Sequence, residues 1–202
     1  MAIETKVKLV EQLFDRLENE ISHFQSQTRL HCIAGCGRCC TTPHIDASPL
    51  EFFPWAFHLY LNGQAEIMLD ELNQTNLSSC HIFRPLSIVD SNNGNCSNYK
   101  YRGLICRLFG YAASRDQFGK LRLATCKIIK ENQPDNYKNT TEAISKGLYI
   151  PIFSDYYMHL SQIDFKLAKT MLPVNEALKR AIEEVLHYYA YHPFPTGLKT
   201  PA

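Results

Sequence analysis

The chain has 202 residues, of which 45% are hydrophobic and 20% charged, so a sizeable apolar core is available without relying on metals or cross-links. Its 21 basic and 20 acidic side chains leave a net charge of +1, which excludes a general electrostatic pull toward nucleic acid or an anionic membrane. No window approaches the roughly 20 apolar residues of a membrane-spanning helix, and the N-terminus lacks the apolar run of a signal peptide, so a soluble cytoplasmic protein is expected.

Val7, Val10, Leu13, Phe14, Leu17, Ile21 and Phe24 recur at spacings of three and four, which predicts an amphipathic helix over about 4–27. It leads into Cys32-Ile-Ala-Gly-Cys36-Gly-Arg-Cys39-Cys40, four thiols within nine residues. Gly35 and Gly37 lie between them, where a backbone must curl so that several side chains converge. Ser48-Pro49-Leu50-Glu51 then reads as a helix start with a cap, a proline and an N3 acid. That helix runs to Asn62-Gly63, with Pro54 either kinking it or marking its true first turn. A second helix covers about 64–72.

From Asn73 to Lys127 the pattern breaks into Asn-, Ser- and Gly-rich turns such as Ser91-Asn92-Asn93-Gly94-Asn95. His81–Val89 and Leu121–Ile129 are expected short strands, and Gln117-Phe118-Gly119-Lys120 a hairpin turn. Cys80, Cys96, Cys106 and Cys126 fall in this stretch, which suits ligand loops better than a buried sheet. Thr140 or Thr141 is expected to cap a helix to about Leu148. Asp155–Met171 and Pro173–Tyr189 read as further helices, with Ala177, Leu178, Ala181, Ile182, Val185 and Leu186 on one face of the last.

In a reducing cytosol eight cysteines are metal ligands in preference to disulfides, although an even count leaves disulfides open. Four thiolates make a tetrahedral environment that zinc and iron–sulfur clusters both accept. The neighbours Cys39 and Cys40 are expected to diverge and so to serve two irons, two neighbouring centres, or one metal and one structural role. The gaps of 16, 10 and 20 positions between the later cysteines do not match the paired knuckles of a zinc ribbon. Cys32-x3-Cys36-x2-Cys39 resembles the three-cysteine signature of radical SAM enzymes, but the chain has no glycine-rich SAM-binding segment.

Three further matches cover 32 to about 127. They are the loop ending Cys36-Gly37-Arg38-Cys39-Cys40; Cys80 followed by Cys96-Ser97-Asn98-Tyr99 and Arg102-Gly103-Leu104-Ile105-Cys106-Arg107-Leu108-Phe109; and Cys126-Lys127. On these residues the chain resembles the YkgJ-type cysteine-cluster (CxxCxxCC) family of zinc- or iron-chelating domain proteins. One extra residue separates Cys32 from Cys36, and Gly103 stands where the family pattern has proline. The resemblance implies metal or iron–sulfur chelation by Cys32, Cys36, Cys39, Cys40, Cys80, Cys96, Cys106 and Cys126, and no single reaction.

Arg38, Arg102 and Arg107 sit beside these cysteines, where cations would offset the negative charge of a thiolate-bound cluster; surface or core-edge ion pairs are the alternative. His31, His44 and His81 lie close to cysteines as alternative ligands, as hydrogen-bond donors to the ligands or as bystanders, and Tyr99 and Tyr101 would shield the centre from water, position a substrate or pack in the core. There is no phosphate-binding glycine loop, serine nucleophile elbow or His-Glu-x-x-His.

The expectation is a mainly α, irregular single domain over 1–202, with short strands and cysteine-rich metal-binding loops. It comprises an N-terminal helix (1–30), a cysteine-cluster core (32–127) and C-terminal helices (140–190). A cysteine-lined pocket would form from the 32–40 loop and the 80–126 segment. Cys32, Cys36 and Cys39 with one distal cysteine would hold an iron–sulfur cluster, expected as 4Fe–4S, with a redox or electron-transfer role and a redox protein partner. The alternatives are a zinc-binding structural or interaction module without catalysis, or an iron–sulfur enzyme with an open iron site modifying a protein or cofactor.

Overall fold

The computed structural model describes residues 1–42, 45–74, 79–86 and 93–195. Among them the chain is mainly helical, as its periodicity predicts, and its strands pair only as two-stranded antiparallel ribbons. In order come α1 (Ile3–Thr28), β1 (Asp46–Ala47), a 3-10 turn (Pro49–Phe52), α2 (Phe53–Leu61), α3 (Ala65–Gln74), β2 (Phe83–Pro85) and β3 (Gly94–Cys96). A second 3-10 turn (Tyr99–Tyr101), α4 (Leu104–Leu108), β4 (Ala112–Arg115) and β5 (Leu121–Ala124) follow. The chain then closes with α5 (Lys127–Asn132), α6 (Pro134–Ser145), α7 (Phe153–Ile163), α8 (Phe165–Lys169), β6 (Leu172–Pro173) and α9 (Val174–Tyr189).

The chain divides into two compact units. The first comprises Met1–Glu11, Gly35–Gly103 and Leu160–Ala202. Its core is the apolar face of α9, where Ala177, Leu178, Ala181, Ile182 and Val185 are buried, packed against α2, α3 and the Pro49–Phe52 turn. Phe52, Phe53 and Trp55 are almost wholly buried there, each worth about 1.5–3 kcal/mol of hydrophobic transfer. Pro54 falls in the first turn of α2, where its missing N–H costs no intrahelical bond. The preceding turn is held by the buried Glu51 carboxylate, which accepts from the Ser48 N–H at 2.8 Å. β1 and β6 pair with Ala47 opposite Leu172, and Lys6 reaches Asp164 at 2.6 Å.

The second unit comprises Gln12–Ala34 and Leu104–His159. Leu13, Phe14, Leu17, Ile21 and Phe24 of α1 are buried in it, together with Leu104, Leu108, Ala112, Ala113 and Ile129. α1 ends where Arg29 turns left-handed at φ 57°. The expected Gln117–Lys120 turn joins β4 to β5.

Four boundaries differ from the sequence expectation, each for a local reason; the helix expected over Asp155–Met171 breaks at Asp164, whose carboxylate accepts from the Leu167 N–H at 3.0 Å and caps α8. The strand expected over 121–129 stops at Ala124, because the Cys126 sulfur accepts from the Ile129 N–H at 3.4 Å and starts α5. α6 begins at Pro134 and not at Thr140, since proline's fixed φ suits a first turn; Thr140 is buried within the helix. The strand expected from His81 is only Phe83–Pro85; positions 87–89 of that expectation, and His44, lie outside the described residues.

Candidate metal centre

The first unit gathers Cys36, Cys39, Cys40, Cys80 and Cys96 on adjoining stretches of backbone. Gly37 O accepts from the N–H groups of Cys40 and Thr41, at 2.9 and 3.1 Å, folding 37–41 into one tight turn. The Cys80 N–H donates to Cys40 O at 2.8 Å, which lays the start of the second cysteine segment against that turn. β2 then pairs with β3, placing Phe83 opposite Cys96. β3 is anchored in turn to the loop: Gly94 N–H donates to Gly35 O at 2.9 Å, and Asn93 bridges Cys36.

Two glycines make this contact possible. Gly35 has φ 75°, a left-handed conformation that costs a side-chain-bearing residue about 1–2 kcal/mol. A Cβ on Gly94 would lie 2.3 Å from Phe83 Cε2 and 2.4 Å from Arg84 O, so only a glycine lets the strand approach β2. Asn93 and Gly94 are contributors that the cysteine spacing does not reveal; their Asn-Gly pairing is the local signal.

Electrostatics treats four of these thiols as one group. A hydrogen bond from the Cys40 thiol is the main cause lowering Cys39 to a pKa of about 6, with backbone N–H groups and the Arg102 cation adding to it against burial. Burial pushes Cys80 up to about 11, and the charges of Cys96 and Cys39 push the same way. Cys96 is also raised, mainly by burial, and is opposed by Arg102. The Cys40 thiol acts on Cys39 through a hydrogen bond, so the neighbouring pair interacts across the 37–41 turn.

The second unit holds the other three cysteines on separate elements. Cys32 lies beyond α1, its N–H donating to the Tyr111 hydroxyl at 2.7 Å; Cys106 is on α4, and Cys126 caps α5. Tyr111 is a positioning residue that spacing alone gives no hint of. All eight cysteines are thiols and none is in a disulfide.

The neighbouring residues separate by role. Arg102 lies 4.0 Å over the Tyr99 ring, donates to its hydroxyl at 2.6 Å, and acts electrostatically on Cys39 and Cys96. Arg107 pairs with Glu18 at 3.0 Å and lies 4.5 Å over Phe14, a core-edge ion pair of the second unit. Arg38 is exposed, and its carbonyl accepts from Thr41 and Thr42. His81 is buried next to Cys80, its Nε2 3.3 Å from Glu71 and its N–H on Asn175. His31 bonds the Arg29 carbonyl. Tyr101 stacks on His58 at 5.0 Å, and Tyr99 is 62% exposed, so Tyr99 is not a core residue.

Among the described residues no three His, Cys, Asp or Glu side chains stand together at metal-ligand spacing. The donor chemistry nevertheless fits a soft or borderline metal: four thiols act on one another, the pKa of Cys39 is held low, and a guanidinium is present to offset the charge. Compared with protein-family models, with curated proteins and with solved structures, the chain matches none.

Proposed function

We propose that this chain is a metal-binding protein of the YkgJ-type cysteine-cluster kind, with an iron–sulfur cluster serving redox or electron transfer in the cytoplasm. The reading is carried by one observation: the Cys80 N–H to Cys40 O bond and the β2–β3 ribbon bring Cys39, Cys40, Cys80 and Cys96 into one electrostatic group. These four would be the ligands. That set differs from the Cys32, Cys36 and Cys39 trio suggested by spacing. A cluster held there supplies one-electron transfer. The chain's own part is to hold four sulfurs on braced backbone, to place Arg102 against their charge, and to keep Cys80 and Cys96 half-buried.

A zinc-binding structural module is the second reading. It is favoured by the same four thiols, Cys39, Cys40, Cys80 and Cys96, which would complete a tetrahedral zinc site without further ligands.

Single Cys→Ser replacements test the ligand set, with metal counted per chain after anaerobic purification. Cys39→Ser, Cys40→Ser, Cys80→Ser and Cys96→Ser should each deplete metal, while Cys32→Ser, Cys106→Ser and Cys126→Ser should leave that centre's stoichiometry intact. Full metal retention in all of the first four would defeat the assignment.

A further inference from the structure

The second unit contains a cavity of about 170 Å³ whose lining includes no cysteine. Arg16 and Glu20, one turn apart on α1, form one wall. Tyr149, which precedes α7, and Asp155, Tyr156 and His159 of α7 supply the rest of its polar lining. Arg16 Nη2 donates to His159 Nδ1 at 2.8 Å. The Tyr149 hydroxyl donates to Glu20 Oε2 at 2.6 Å, and the Arg16 guanidinium lies 5.3 Å over the Tyr156 ring.

These contacts use only part of what the lining offers. A guanidinium has five N–H donors in a fork, and two carboxylates accept at several lone pairs. Tyr156 is 3% exposed, and its hydroxyl lies beside the Glu20 carboxylate and the Arg16 guanidinium, which both act on it. The charges discriminate between ligands. A simple anion drawn to Arg16 would face Glu20 and Asp155, and a simple cation drawn to those two would face Arg16. A molecule carrying both signs meets both. The volume sets the size: a cavity of about 150 Å³ accommodates benzene, so a ligand of roughly six to ten heavy atoms fits.

We infer that this cavity binds a free α-amino acid, its carboxylate on Arg16 and its ammonium on Glu20 and Asp155. The site is independent of the thiols and of any metal they hold.

The test is calorimetric titration of the full chain with glycine, alanine, serine and leucine in turn, then with the N-acetyl and methyl-ester forms of the best of them. At least one free amino acid should bind with a Kd of about 1 mM or below, and each blocked form should lose at least tenfold. Arg16→Gln should weaken binding at least tenfold, and Glu20→Gln should do the same, each read at a temperature well below that variant's own melting temperature. The inference is overturned if none of the four binds up to about 10 mM, if the blocked forms bind as well as the free one, or if both variants bind as the unmodified chain does. The blocked forms decide the matter on the unmodified protein even where a variant folds poorly.

Discussion

Gly94→Ala is the substitution whose consequence follows most directly from the geometry. The added methyl would sit 2.3 Å from Phe83 Cε2 and 2.4 Å from Arg84 O. Carbon–oxygen contacts normally begin near about 3.3 Å, so the strands must part by about 1 Å. The Phe83 ring can turn aside, but the Arg84 carbonyl is backbone within β2 and cannot. Overpacking of this kind costs about 1–3 kcal/mol, which is about 2–12 °C of melting temperature for a chain of this size. The displacement also acts on the site, because Gly94 N–H is the group bonded to Gly35 O, and Cys96 lies two residues on. Gly94→Ala should therefore lower stability and metal content together, read by thermal melting and metal analysis on the same preparation. A variant as stable and as metal-loaded as the parent would refute the claim that this ribbon braces the cysteine loop.

Ile182→Ala removes a fully buried side chain from the α9 face and should cost about 2–5 kcal/mol in denaturant unfolding, with no change in slope. In the metal-free chain, alkylation at pH 7.5 followed by peptide mapping should modify Cys39 well before Cys80. The first has its pKa near 6, held down by the Cys40 thiol, and the second near 11, held up by burial. Equal labelling would contradict the shared field. Burial pushes Asp164 up, but the hydrogen bond and charge of Lys6 outweigh it, so its folded pKa is depressed. Its contribution is then present above the ordinary carboxylate pKa and is lost as pH falls through the folded value. Asp164→Asn should remove that part of the acid sensitivity, checked by melting temperature across pH 2–6.

The helices were legible because their signals are local. The three- and four-residue spacing in α1, the Ser48–Glu51 start and the apolar face of α9 all belong to the residues that form them. Lys127 was misread because Ile128 and Ile129 look like strand residues, while the deciding interaction is a thiol acting as a helix cap. Thr140 competed with Pro134 as a helix start, and the proline's fixed backbone decided it.

At the site the cysteines stood out at once, but their grouping did not. Cys32 is only four residues from Cys36, yet the two fall in different units, because the boundary passes between Ala34 and Gly35. Cys80 joins Cys40 through a hydrogen bond spanning 40 positions, a long-range contact that spacing cannot encode. Arg102 and Arg107 look alike beside their cysteines; only the fold shows that one acts on Cys39 and Cys96 and the other pairs with Glu18.

The central claim is that the gathered thiols hold an iron–sulfur cluster. Iron, zinc and acid-labile sulfide per chain, determined with the visible spectrum of anaerobically purified protein, test it most directly. The account predicts a brown protein with broad visible absorption, matched iron and sulfide, and loss of both in Cys80→Ser. A colourless protein with stoichiometric zinc and no iron would contradict the cluster, and one with no metal at all would contradict the centre itself.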